Sequence, residues 1–328
     1  MTPKQQPLAR AWGVILAGGD GTRLRSLTEK VDGDARPKQF SRVMGDMSLL
    51  AQTRRRLGPL FEADRTIVVV TEKHEPFYDE LTHDVPVTAL LIQPENRGTG
   101  IAIATTALML LKQEANAVVA FVPCDHHYHN EAAFLNAVEA GIQAAENSDS
   151  IVLLGAEPTY PETEYGWIEP VQNGLANSSL EPMLVGRFWE KPTLPTAQKL
   201  LTRGCLWNTF VTIGRASVFL ELLSATVPQA VLGLLSGIAE GDLDTSFRLA
   251  PFVDFSRDVL ASQMDRLLVI RDTASGWTDL GSPRRVLDVL ARQKITAPWL
   301  KSFRGTTVLP VDRSLPTTDE TVATHQEA

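Results

Sequence analysis

Cysteine is almost missing: Cys124 and Cys205 are the only two in 328 residues. No disulfide framework can hold such a chain together, and a reducing, cytoplasmic setting is the simple expectation. Positive charge is in deficit as well, with 31 Lys and Arg against 39 Asp and Glu and a formal net charge of −8. A chain of that sign offers no broad basic face, so neither nucleic acid nor an anionic membrane is expected as a partner. No apolar run reaches the roughly 18–20 residues of a membrane span. The longest candidate, Ile101 to Leu111, has the length of a buried helix and contains Thr105 and Thr106. The first ten residues are polar and carry two prolines, unlike a secretory leader. In that setting Asn177-Ser178-Ser179 reads as a polar loop rather than a glycosylation site. No internal repeat of solenoid period is visible. What is present is an ordinary globular composition, 44% hydrophobic and 21% charged, on a chain long enough for one large α/β unit or two domains.

Short β-branched runs alternate with helical patterns. Trp12 to Ala17, Arg65 to Thr71, Val87 to Gln93, Ala117 to Val122 and Ile151 to Glu157 read as buried strands. Ser48 to Leu60, Thr99 to Gln113 and Glu131 to Ala145 read as the helices between them. Near-continuous apolar strands alternating with helices predict a mostly parallel sheet covered on both faces. From about Pro158, prolines punctuate shorter strands at Trp167 to Val171, Leu184 to Trp189 and Phe210 to Ile213. Helices return at Ala216 to Ala225, Gln229 to Glu240 and Pro283 to Lys294. This half is expected to extend the first sheet. The stretch from about Arg313 is rich in Thr, Pro and acids, and is expected to be a disordered tail.

Leu16-Ala17-Gly18-Gly19-Asp20-Gly21-Thr22-Arg23-Leu24 follows the first strand directly. Three glycines in four positions allow tight turns and leave backbone N–H groups free to face an anion. The loop is not a dinucleotide fingerprint, since Leu24 stands where the third glycine belongs, and no Lys-Ser or Lys-Thr closes it as in a P-loop. By itself it could be a plain turn. The six basic residues between Gly18 and Arg42, Arg23 and Lys38 among them, tip the reading toward a phosphate-rich ligand.

Asp125 follows the fourth strand. In open α/β sheets ligands gather outside the carboxyl ends of the strands, and a carboxylate there suits Mg²⁺, which takes carboxylate and phosphate oxygens. Asp279, in Gly276-Trp277-Thr278-Asp279-Leu280-Gly281, is a second candidate, although an acid just before a helix is commonly its N-cap. Cys124, His126, His127 and His129 invite a zinc reading. It is discounted because ligands crowded on one short loop lack the paired spacing that zinc sites use.

Taken in order, these segments resemble the sugar-1-phosphate nucleotidyltransferases, and within them the mannose-1-phosphate guanylyltransferase branch. The resemblance runs from Trp12 to about Val289. It rests on the glycine loop, Arg36-Pro37-Lys38-Gln39-Phe40, Gln93-Pro94-Glu95-Asn96-Arg97-Gly98-Thr99 and Pro123-Cys124-Asp125-His126. Glu164-Tyr165-Gly166-Trp167-Ile168, Phe188-Trp189-Glu190-Lys191-Pro192, Trp207-Asn208-Thr209 and Trp277-Thr278-Asp279-Leu280-Gly281 complete it. The resemblance implies a Rossmann-like α/β nucleotidyltransferase fold, a mostly parallel mixed sheet flanked by helices. The domain would span 1–295, nucleotide-binding over about 10–157 and sugar-phosphate-binding over about 158–295. Residues 296–328 would be an extension, with neither an isomerase domain nor a C-terminal left-handed β-helix.

The same resemblance implies site roles. Leu16, Ala17, Gly18, Gly19, Gly21, Thr22, Arg23, Gln93, Gly98 and Thr99 would contact the nucleotide, and Gly166, Glu190, Lys191 and Asn208 the sugar phosphate. Arg23, Lys38, Asp125 and Lys191 would be catalytic, and Asp125 and Asp279 would hold Mg²⁺. The implied reaction joins GTP and mannose 1-phosphate, with release of pyrophosphate. Its competitors are a UTP- or dTTP-dependent glucose-1-phosphate transferase and a non-catalytic, nucleotide-sugar-binding regulatory subunit. Four departures from the pattern bear on specificity. Asp20 is an acid beside a triphosphate site, Leu27 stands where proline is frequent, Gly100-Ile101 replaces Ala-Pro, and Phe210 stands where a glycine usually follows. A homodimer, closed by the last predicted helix with Pro298-Trp299-Leu300 and Phe303, is as open as packing of these residues on their own chain.

Overall fold

The apolar runs become the strands of one sheet. The computed structural model describes residues 11–82, 89–171 and 180–303. Its strands are β1 (Ala11–Leu16), β2 (Thr66–Thr71), β3 (Leu90–Gln93), β4 (Val118–Pro123), β5 (His126–Tyr128), β6 (Ile151–Ala156), β7 (Gly166–Pro170), β8 (Met183–Glu190), β9 (Leu206–Arg215), β10 (Leu267–Asp272) and β11 (Trp277–Asp279). The helices are α1 (Arg25–Asp32), α2 (Leu49–Leu57), α3 (Glu75–Thr82), α4 (Thr99–Gln113), α5 (Glu131–Glu146), α6 (Leu194–Thr202), α7 (Ala216–Thr226), α8 (Pro228–Glu240), α9 (Leu243–Leu249), α10 (Pro283–Arg292) and α11 (Leu300–Phe303). The start of the predicted third strand, residues 177–179 and the tail from 313 lie outside the described residues.

Nine strands pair in the order β3-β2-β1-β4-β9-β6-β10-β8-β7, while β5 and β11 form a separate two-stranded ribbon. β3, β2, β1 and β4 run parallel, so their carboxyl ends share one rim. β9 runs antiparallel between β4 and β6, and its first residues also pair with β7. The sheet is therefore continuous across both sequence halves. Beyond Gly281 the described residues form helices and no β-helix.

α4 is buried almost all round, as a helix sandwiched in a core must be. Its Thr105 and Thr106 hydroxyls donate to the carbonyls of Ile101 and Ala102 at 2.9 and 2.8 Å, so they need no outside partner. α4, α7, α8 and α9 cover one face of the sheet, and α2 and α5 cover the other. Ser48 caps α2 by accepting the Ala51 N–H at 3.2 Å, a contact worth about 1 kcal/mol.

The structure corrects one sequence reading, adds a strand and decides two points left open. The strand expected at Phe210 to Ile213 begins at Leu206, so Asn208 and Thr209 are buried strand residues. β10 went unread because its apolar core, Leu267 to Ile270, is short and charged at both ends. The cap of α10 is Ser282, which accepts the Arg285 N–H at 3.4 Å, leaving Asp279 free of that duty. Trp299 packs back on its own chain: it is buried beside Leu24 and Leu290 and donates its indole N–H to the Val43 carbonyl at 3.2 Å.

Both cysteines are buried. Burial, then Glu169, pushes the Cys205 thiol up to about 11, and burial, then Asp125, raises Cys124 well above the usual range. Because the thiolate is the reactive form, neither should react with an aromatic disulfide reagent at neutral pH. Titration in guanidinium should then count two thiols, and a fast-reacting thiol in the native chain would contradict this burial.

Candidate functional site

A cleft of about 350 Å³ opens at the shared rim of the parallel strands. Its floor is the glycine loop after β1, braced from two sides. Gln39 donates through Nε2 to the carbonyls of Ala17 at 2.9 Å and Gly19 at 2.6 Å, and Thr71 donates to the Gly18 carbonyl at 2.9 Å. Gly21 sits at φ +58, where a Cβ would come within 2.7 Å of the Lys38 nitrogen. Only glycine lets the loop and the Lys38 turn touch. Asp20 points out of the cleft, where it pairs with Lys73 and lies 3.7 Å from His74 Nε2.

Asp125 and Asp279 are far apart in sequence, and the ribbon joins them. In the β5–β11 pairing Asp279 faces His126, the neighbour of Asp125. Between the two carboxylates stands Lys38, whose Nζ is 2.9 Å from Asp125 Oδ2 and 3.5 Å from Asp279 Oδ1. Burial works against the Lys38 ammonium, but the attraction of Asp125 and Asp279 outweighs it and raises its pKa. Burial likewise opposes ionisation of Asp125, and Lys38 and His126 overcome it, lowering its pKa. Burial lowers the His126 pKa, with Asp125 and Asp279 opposing, and its Nδ1 accepts the Trp277 indole N–H at 3.1 Å.

The two carboxylates converge on a single cationic point. Hard oxygens so placed, with phosphate and water to complete the shell, fit Mg²⁺. The zinc candidates are engaged differently: His127 bonds Gln293 at 2.8 Å, and no group of three or more metal-capable side chains occurs among the described residues.

At the other end of the cleft, Gly98 (φ +85) and Gly100 abut Val253. The Gly100 N–H donates to the Val253 carbonyl and the Val253 N–H to the Arg97 carbonyl, both at 2.9 Å. A Cβ at Gly100 would sit 2.5 Å from Val253 Cγ1, which accounts for the glycine departure at that position. Thr99 Oγ1 accepts the Phe255 N–H at 3.1 Å. Gln93 lines the same end, and its buried Nε2 has no hydrogen-bond partner among the described residues. A donor left unfilled in this way suits an acceptor on a ligand.

A second cleft adjoins the first through Arg23, Phe210 and Asp279, and is further lined by Glu164, Tyr165, Lys191 and Trp277. Lys191 is largely exposed, with Nζ 3.5 Å from Glu190. Gly166 faces Glu190 across β7 and β8, and a Cβ on it would lie 3.4 Å from that of Asn208. These three residues therefore meet, but behind the cleft walls. Burial raises the Glu190 pKa, partly offset by Lys191, and its Oε2 lacks a partner among the described residues. Asn208 is fully buried, its Oδ1 taken by the Phe210 N–H at 3.1 Å. Thr22 is exposed and lines neither cleft.

Sequence reading passed over three contributors. Gln39 lay inside a quoted motif without a role. The segment around Asp254 to Ser256 lines the first cleft yet has no readable pattern. Arg285 holds Asp279 Oδ2 at 3.2 Å and also pairs with Glu162; in sequence it resembles any solvated charge in the first turn of a helix.

Comparison with known proteins shows what the chain as a whole is similar to. The xanthan biosynthesis protein XanB of Xanthomonas campestris pv. campestris is 34% identical over 287 residues, 84% of this chain and 58% of its own. The mannose-1-phosphate guanylyltransferase of Salmonella montevideo is 30% identical over 281 residues, 82% of this chain and again 58% of its own. The chain thus spans less than two thirds of the length of these relatives. A Thermus thermophilus structure described as mannose-1-phosphate geranyltransferase superposes with a TM-score of 0.74 at 28% identity, covering 88% of this chain and 80% of that one. With the model for nucleotidyl transferase accounting for residues 12–294 as well, the chain belongs to the nucleotidyl transferase family.

Proposed function

We propose that this chain transfers a guanylyl group from GTP to mannose 1-phosphate, giving GDP-mannose and pyrophosphate. The observation that carries the reading is the meeting of Lys38, Asp125 and Asp279 beside the glycine loop, in a cleft continuous with the one that holds Lys191. An oxygen of the sugar phosphate attacks the α-phosphorus as the bond to the bridging oxygen breaks, and pyrophosphate departs. The chain's task is to hold two polyanions in line and offset the charge that builds between them. Loop N–H groups and Arg23 face the triphosphate, Lys38 adds positive charge where pyrophosphate forms, and Lys191 draws in the acceptor phosphate. Asp125 and Asp279 would hold Mg²⁺, which supplies Lewis-acid neutralisation and a template for the phosphate oxygens.

The choice of GTP and mannose 1-phosphate follows the guanylyl-type Arg36 to Phe40 block and the name of the Salmonella relative. Asp20, the acid beside the glycine loop, pairs with Lys73, which supports the reading of that loop as a triphosphate site. Two unpaired, buried cysteines suit a reducing, cytoplasmic setting, and no helix among the described residues is long and apolar enough to cross a membrane.

The test is pyrophosphate release with Mg²⁺, crossing GTP, ATP, UTP, dTTP and CTP against mannose 1-phosphate and glucose 1-phosphate. Turnover confined to GTP with mannose 1-phosphate is the expected result. Turnover with another pair moves the specificity and keeps the mechanism. Silence with retained GDP-mannose binding replaces the enzyme by a regulatory subunit.

A further inference from the structure

β9 is too long for the strand beside it. Leu153 faces Thr212 and Gly155 faces Asn208, so four steps along β9 answer two along β6. The excess forms a bulge, and at its crest Phe210 sits at φ +59, a left-handed conformation that bulky aromatics rarely adopt. Two buried side chains hold it there. Asn208 Oδ1 accepts the Phe210 N–H, and Thr209 donates to the Leu154 carbonyl at 2.7 Å.

Bulges beside ligand sites re-aim a side chain, and strained residues concentrate at such sites. Here the ring is delivered to the junction of the two clefts. Of the three residues that line both, Arg23 and Asp279 are charged, and Phe210 alone is apolar, with 37% of its surface exposed. A phosphate oxygen in one cleft that reaches phosphorus in the other crosses the boundary that this ring shares with Arg23 and Asp279. An uncharged ring has little to offer a phosphate, whereas it can pack against the C–H face of a sugar.

We propose that Phe210 is a specificity-determining residue that narrows the passage between the clefts and selects the acceptor by shape. Hexose 1-phosphates whose rings carry only hydroxyl and hydroxymethyl groups are admitted, and those carrying a bulkier group such as an acetamide are refused. This rests on reading the two clefts as nucleotide and sugar-phosphate sites.

The test compares F210G and F210A with the parent chain, using GTP and either mannose 1-phosphate or N-acetylglucosamine 1-phosphate. Both variants should shift the ratio of kcat/KM by about tenfold toward the bulkier acceptor, the scale on which a small change in pocket volume discriminates. F210G should also melt about 2–4 °C above F210A, since only glycine relaxes the left-handed backbone. The common ratio shift then belongs to the ring and not to the strain. An unchanged ratio in both variants, with the parent chain active, overturns the role of Phe210 alone. A shift in F210A that is absent in F210G assigns the effect to the backbone and overturns it equally. A parent chain that turns over no nucleotide and sugar-phosphate pair overturns the reading of the clefts, and this proposal with it.

Discussion

Asp125→Asn should lower turnover by about 10²–10³, the usual loss when one preorganised charge contact to a transition state is removed. The substitution keeps the shape of the side chain and takes away its charge. In the native chain that charge is secured by Lys38 at 2.9 Å, with His126 Nε2 3.7 Å from the other oxygen. The amide leaves Lys38 with Asp279 alone, and would leave the proposed divalent ion with one carboxylate in place of two. The fold should survive, because the lysine keeps a charged partner and the surrounding strands are unaltered. Circular dichroism should therefore match the parent while pyrophosphate release collapses and Mn²⁺ binding in the presence of nucleotide weakens. Activity within about threefold of the parent would remove Asp125 from the catalytic set, since a lost charge contact costs far more.

Gly98→Ala is expected to be the costliest small substitution in the first cleft. Two penalties coincide there. At φ +85 an L-residue gives up roughly 1–2 kcal/mol, and the added Cβ would fall 2.8 Å from the Val253 carbonyl carbon, closer still to its oxygen. Backbone on both sides of this contact is locked by the bonds at Gly100 and Val253, so neither side can yield cheaply. A loss of about 3 kcal/mol or more follows, with a melting point lower by at least about 5 °C and weakened nucleotide binding. Gly233→Ala is the internal control. It lies within α8, where a Cβ meets nothing within 4 Å, and alanine there should be neutral or stabilising by up to about 1 kcal/mol. Equal melting points for the two variants would show that the turn at Gly98 is less tightly built than its contacts imply.

The parts of this molecule that could be read from sequence are those whose signal is local. β1, β2, β4 and β6 announce themselves because a strand buried on both faces is a nearly unbroken apolar run. α5 keeps its helical period over 16 residues. The glycine loop is legible for a similar reason, since its unusual backbone demands unusual residues. The meeting of Asp125 and Asp279 is different. It depends on a ribbon of three-residue strands, too short to carry a period, and resemblance alone suggested it. Lys38 was assigned to phosphate without any hint that it stands between the two aspartates. Asn208 is a polar residue in a buried strand, and its side-chain amide nitrogen reaches Ser256, 48 residues away. In each of these cases the information resides in a partner distant along the chain.

The antiparallel strand between β4 and β6 also governs how the chain can be divided. β4 is buried along most of its length, and on one side β9 satisfies its ladder through Thr212 to Arg215. A fragment ending near residue 157 would keep the glycine loop and Asp125 but turn β4 into a bare, apolar edge, the kind of surface on which chains stack and aggregate. The N-terminal half of the sheet thus depends on the C-terminal half to cover this edge, and the order of synthesis matters. Until β9 has left the ribosome, the nascent sheet is an unfinished template that must be shielded from its neighbours.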